Sequence, residues 1–74
     1  MRTALYFADE IFDARTQRDL TQAQVAEMAD ISVRWYQKLE SGEAVPGFNV
    51  CLRVAKALSI DLNRLAQRVE ICEI

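Results

Sequence analysis

The sequence predicts an all-α domain of five short helices, and three observations carry that prediction. Helix breakers are confined to one place: the only glycines and the only proline are Gly42, Pro46 and Gly47. Elsewhere apolar side chains recur every three or four residues, the helical period, rather than every two. Ser, Thr and Asp stand where helices would need N-terminal caps. At 74 residues the chain has material for one small core, so residues 1–74 are read as a single compact domain.

The first helix is expected over residues 3–18, where Ala4, Phe7, Ala8, Ile11 and Ala14 keep helical spacing. Leu5 and Phe12, seven apart, add a second apolar stripe, wider than one core requires. Thr21 caps the second helix, with Gln24 as the reciprocal partner of a capping box and Leu20 and Val25 as a hydrophobic staple. That helix, Gln22–Ala29, is expected to bury Val25, Ala26 and one of Met28 or Ala29. Ser32 caps the third, stapled by Ile31 and Tyr36. Over residues 33–41 this third helix turns Tyr36 and Leu39 inward and Arg34, Gln37, Lys38 and Ser41 outward, until Gly42 ends it. A loop follows at residues 43–46. The fourth helix runs from Gly47 to Leu58 with Phe48, Cys51, Leu52, Ala55 and Leu58 as its expected core stripe. Asp61 caps a fifth, stapled by Ile60 and Leu65, with Leu62, Leu65, Ala66 and Val69 on its apolar face. Residues 70–74 alternate too briefly to assign.

Composition removes several function classes. No window holds the roughly 18 apolar residues of a membrane span, and no signal peptide opens the chain. There is no histidine, which excludes His-based catalysis and His-containing zinc sites. Two cysteines are too few for a disulfide framework or a four-thiolate site. The expectation is a cytoplasmic protein that is not an enzyme and binds no cofactor or metal. Cys51 reads as a small buried hydrophobe and Cys72 as a free thiol; a redox switch between them is the sharper alternative, without a thiolate-stabilising setting to support it.

Two capped helices joined by three or four residues, the second apolar inside and polar outside, form the helix-turn-helix pattern. Ala26, a small residue at the crossing point, allows close approach of the two helices. The residues themselves resemble a family. Leu20-Thr21-Gln22-Ala23-Gln24-Val25-Ala26-Glu27, Ile31-Ser32, Leu39-Glu40-Ser41-Gly42, Pro46, and Leu52-Arg53-Val54-Ala55-Lys56-Ala57-Leu58 before Ile60 look like the XRE or lambda-repressor-like helix-turn-helix family. The resemblance covers about residues 8–67, with the helix-turn-helix at about 21–41.

The resemblance implies a five-helix, lambda-repressor-like domain whose third helix lies in the DNA major groove, commonly as a homodimer on a two-fold site. Val33, Arg34, Gln37 and Lys38 fall on the family's base-facing positions. Arg34 suits guanine O6 and N7, Gln37 suits adenine, and Val33 suits a thymine methyl. Gln22 resembles the family's phosphate-contacting glutamine, at a helix N-terminus that itself favours anions. Ser32, Ser41, Asn49, Arg15 and Arg18 are the further phosphate contacts expected. Double-stranded DNA is thus the expected partner, and the expected role is a bacterial or mobile-element transcription regulator, most simply a repressor.

The chain departs from the family at three places. Asp30 and Asp19 stand where glycine is common, each costing about 1 kcal/mol in a left-handed conformation. Glu43 and Ala44 occupy a loop that is often basic, and the net charge is −2, from nine basic and eleven acidic residues. Since phosphate neutralisation supplies much of DNA affinity, Arg15, Arg18, Arg34, Lys38 and Arg53 are expected on one face and Asp9, Glu10, Asp13 and Glu70 on the other. The same acidity motivates a rival: a protein–protein module, antitoxin-like, that kept the fold with weak or no DNA binding. Trp35, beside the inward Tyr36, either packs on a neighbouring helix or meets DNA backbone or a partner. Leu5, Phe12, Ile71 and Ile74 either close an enlarged core or form a dimer surface.

Overall fold

The computed structural model describes the backbone of residues 2–61 and of Asn63, with side chains from Tyr6 onward. Four helices make up these residues: α1 (Arg2–Gln17), α2 (Gln22–Ala29), α3 (Val33–Glu40) and α4 (Phe48–Leu58). No strand occurs among the described residues. The fold is all-α, as the sequence predicts.

Both caps of the central helix pair form as the sequence implies. Thr21 Oγ1 accepts the Gln24 amide at 3.1 Å, and Gln24 Oε1 accepts the Thr21 amide at 2.8 Å, a closed capping box. Ser32 Oγ accepts the Trp35 amide at 3.0 Å. Each helix also stops in the same way. A residue in the left-handed conformation donates its amide back into the last turn, and the next residue donates one turn earlier: Asp19 to Thr16 and Leu20 to Arg15, Asp30 to Glu27 and Ile31 to Ala26, Gly42 to Leu39 and Glu43 to Lys38, Ser59 to Lys56 and Ile60 to Ala55. These are Schellman motifs, which satisfy carbonyls the helix would leave unpaired. Only one of the four uses glycine. Asp19, Asp30 and Ser59 hold φ of 58°, 58° and 55° with a side chain present.

The core gathers from all four helices: Phe7 and Ile11 of α1, Val25, Ala26 and Ala29 of α2, Tyr36 and Leu39 of α3, and Val54 and Leu58 of α4. Leu20, Ile31 and Ile60, the apolar residues that follow the left-handed positions, pack against its edge. α2 lies on α3 and α4, while α1 crosses behind α3 and α4. Burying Tyr36, Ile11, Leu39, Leu58, Val25 and Val54 almost completely is worth roughly 1.5–3 kcal/mol for each aliphatic side chain.

The core settles two open expectations and corrects a third. Of Met28 and Ala29 the buried one is Ala29, and Met28 is exposed. On α4 the stripe is turned: Phe48 is 79% exposed and Leu52 37%, while Val54, Ala55 and Leu58 are buried and Val50 and Cys51 pack at the core's margin. Two rows of apolar residues run along α4, and spacing alone does not choose between them. In the core, Val54 and Leu58 of α4 join Ala26 and Ala29 of α2 in one cluster, so α4 packs by the Val54–Leu58 edge. On α1, Phe12 is 47% exposed and outside the core, beneath the Arg15 guanidinium at 5.5 Å from its ring centroid. Asp61 Oδ1 accepts the Asn63 amide at 2.9 Å, the bond a cap would make. The expected fifth helix beyond it, with Leu62, Leu65, Ala66 and Val69, lies outside the described residues, as do Leu5's side chain, Glu70, Ile71, Cys72 and Ile74.

Candidate nucleic-acid interface

The site is built on α3, because α3 is polar on one face and anchored on the other. Tyr36 and Leu39 are buried, and Val33, Arg34, Gln37, Lys38 and Ser41 are exposed. The turn that delivers α3 spans Asp30–Ser32, with Asp30 in the left-handed region as expected. Trp35 is half-buried and packs against the core, which is the first of its two readings.

A polar network crosses from α1 to α2 and α3. Arg15 Nε and Nη2 donate to Glu40 Oε2 and Oε1, both at 2.8 Å, and Arg15 Nη1 donates to the Leu20 carbonyl at 3.0 Å. Gln22 Nε2 donates to the same Glu40 Oε1 at 3.0 Å, and Gln37 Nε2 donates to Gln22 Oε1 at 3.3 Å. The ion pair is largely enclosed, with side-chain exposures of 15% for Arg15 and 6% for Glu40. Burial alone would raise the Glu40 carboxyl, but the hydrogen bonds it accepts, first from Arg15, outweigh that and hold it below its ordinary value. The Tyr36 hydroxyl lies buried next to the pair without a hydrogen-bond partner. Burial, then the neighbouring carboxylate, pushes its phenol well up.

This geometry redistributes the expected roles. Arg15 was expected at phosphate; its donors are instead committed to Glu40 and Leu20. Ser41 was expected there too, but its hydroxyl lies 3.0 Å from the Lys38 carbonyl and 2.9 Å from Glu43 Oε2, either of which takes its one proton, so an acidic side chain stands beside it. Arg53 leans to Asp30, 3.4 Å from its carbonyl and 3.9 Å from its carboxylate. The side chains of Arg34, Lys38 and Asn49 are exposed and make no polar contact with the described residues, and Arg18 is exposed with one side-chain bond to the Ala14 carbonyl. Ser32 keeps its hydroxyl proton free, since its oxygen acts only as acceptor for Trp35. The α4 N-cap, Gly47, supplies no side-chain cap, leaving the first amides of α4 beside Asn49 unpaired by a side chain. Cys51 is half-buried, and burial raises its thiol, the opposite of what a reactive thiolate needs.

Sequence reasoning missed the network's centre. Glu40 reads as part of a motif string, and nothing in its spacing shows a carboxylate binding Arg15, 25 residues away. Two further features are plain only in three dimensions: the exposed Phe48 and Leu52, one turn apart on α4, and Ser59 in the left-handed region.

Comparison with known proteins agrees with this architecture. The family model described as Helix-turn-helix matches residues 11–65. The chain is 35% identical over 60 residues to the cryptic phage CTXphi transcriptional repressor RstR of Vibrio cholerae, an alignment covering 81% of this chain and 54% of that protein. The chain thus spans about half the length of the curated relative it matches. No solved structure matches it significantly. With two capped helices, the turn at Asp30 and a family match across most of its length, the chain belongs to the XRE-type helix-turn-helix family.

Proposed function

We propose that the protein is a sequence-specific DNA-binding transcription regulator, a repressor, that acts in the cytoplasm as a homodimer with α3 in the major groove. The observation that carries the reading is the outer face of α3. Arg34 and Lys38 stand exposed and uncommitted beside Gln37 and Val33, on a helix whose inner face is fully anchored. Side chains that reach base edges need such a rigid support and free donors. Gln22, Ser32 and Asn49, each in the first turn or at the cap of a helix, supply phosphate contacts, aided by the uncapped N-terminus of α4. Arg18 adds an exposed cation just after α1, with one side-chain bond to the Ala14 carbonyl. The relative named a transcriptional repressor supports regulation as the biological role. No catalytic chemistry enters this reading.

Equilibrium binding of a duplex to the purified protein across a salt series tests it. DNA affinity should fall steeply with salt, and Arg18→Ala should flatten the slope by close to one unit, because each phosphate neutralised contributes about that much, while Arg34→Ala/Lys38→Ala should level the preference among sequences. Light scattering on the DNA complex should give two chains per duplex. Affinity that is absent at low salt would overturn the reading.

A protein-partner role is the second reading, and one observation favours it: Phe48, Leu52 and Val45 form an exposed apolar set near the acidic loop. Under that reading Phe48→Ser removes partner capture, and DNA affinity is negligible in every variant.

A further inference from the structure

Gln37 is not free to turn its amide as it pleases, and the reason lies in a residue that no base reaches. An ionised carboxylate only accepts hydrogen bonds, while a glutamine amide has one accepting and one donating end. Glu40, enclosed and paired with Arg15, is ionised at neutral pH. Gln22 therefore has to give Glu40 its Nε2, 3.0 Å away, which turns its Oε1 outward. That oxygen accepts from Gln37 Nε2 at 3.3 Å, so Gln37 in turn must point an N–H at Gln22. What Gln37 has left for solvent is one N–H and its Oε1, a donor and an acceptor.

We propose that Glu40, acting through Gln22, sets the base that Gln37 reads, selecting adenine and rejecting guanine at one base pair. Adenine offers the matching pair in the major groove, the N6 donor and the N7 acceptor, whereas guanine offers two acceptors, O6 and N7. A glutamine with both N–H groups free satisfies guanine by donating twice. With one N–H held by Gln22, that option is closed. Gln22 is thus a positioning residue for Gln37 as well as a phosphate contact. The inference rests on the reading that α3 lies in the major groove.

The test uses the full chain and a duplex obtained by selection with the unaltered protein. Affinities are compared for duplexes in which each A·T pair of the contacted half-site is changed to G·C with adenine replaced by guanine. Gln37→Ala identifies the base pair at which the adenine preference, about tenfold or more, is levelled. At that pair Gln22→Leu should bring the preference within about threefold, since Gln37 then turns freely. Gln22→Lys donates both to Glu40 and toward Gln37, so Gln37 offers its carbonyl to Lys and both N–H groups to the groove, and the preference should invert to guanine. Gln22 variants that weaken all duplexes alike and keep the adenine preference would overturn the inference, as would a Gln37→Ala variant with unchanged base preference. A measurement without DNA separates the relay from the DNA reading: the Gln37 side-chain amide proton resonances should shift in Gln22→Leu with other core resonances unmoved. If they do not shift, the relay is absent. If they shift but the unaltered protein selects no sequence, the relay stands, while the DNA reading and the base preference both fall.

Discussion

Arg15 of α1 grips Glu40, the last residue of α3, through two parallel hydrogen bonds of 2.8 Å. The two residues stand 25 positions apart in the chain, and only one of them lies in the helix-turn-helix. α1 therefore positions α3. It fixes the C-terminal end of α3, while the Ser32 cap and the Asp30 turn fix the N-terminal end. The planar guanidinium fork matches a carboxylate in a way a lysine would not.

Removing one member of this pair strands the other. Glu40→Ala leaves the Arg15 cation enclosed with only the Leu20 carbonyl, and it should cost on the order of 3 kcal/mol. Urea unfolding followed by circular dichroism measures it. A loss below about 1 kcal/mol would mean the pair is solvated and α3 is held by its apolar face alone.

The same pair sets the behaviour in acid. Glu40 titrates below its ordinary 4.5 in the folded protein, so the folded state releases that proton more readily than the unfolded one. Its stabilisation is complete above the unfolded value and disappears as pH falls through the lower folded one. Stability in urea measured from pH 7 down to pH 3 should drop across that window, and Glu40→Gln should show a shallower drop. Equal slopes would place the acid sensitivity elsewhere.

On α4, two leucines of the same chemistry sit on opposite sides of the packing boundary: Leu58 is buried and Leu52 is 37% exposed. Leu58→Ala should cost about 2–5 kcal/mol. Leu52→Ala should stay within about 0.5–1 kcal/mol, as surface changes do. Similar costs for the two would restore the stripe that spacing alone suggests.

Ser59 holds φ of 55° without the local hydrogen-bonding habit that lets Asp tolerate such a conformation. Ser59→Gly relieves that strain and pays part of the gain back in unfolded-chain entropy. The net expectation is about 0.5 kcal/mol of added stability, or roughly 2–4 °C in Tm for a chain this small. A lower Tm would show that the Ser59 side chain contributes more than its backbone costs.

Local signals were the legible ones. The Thr21 capping box, the Ser32 cap and the inward Tyr36 and Leu39 are readable from neighbours within four residues, the left-handed Asp19 and Asp30 from the family resemblance, and all are found. What was not legible depends on which helices meet. Arg15 looks like any surface cation until Glu40 is placed beside it, and Phe48 looks like core until α2 and α4 choose the Val54–Leu58 edge. Ser41 illustrates the same point at the site, since its hydroxyl is drawn to Glu43 by the course of the loop. The polar face of α3 was readable because helical periodicity sorts it without reference to other helices.

The most direct test of the central claim, that the outer face of α3 reads DNA, is selection of bound duplexes from a randomised pool at moderate salt. The unaltered protein and its Arg34→Ala/Lys38→Ala variant are run side by side. An enriched two-fold motif with half-sites about 10 bp apart is expected for the first and its loss in the second. The same motif enriched by both proteins, or none enriched by either at low salt where phosphate attraction is greatest, would contradict it.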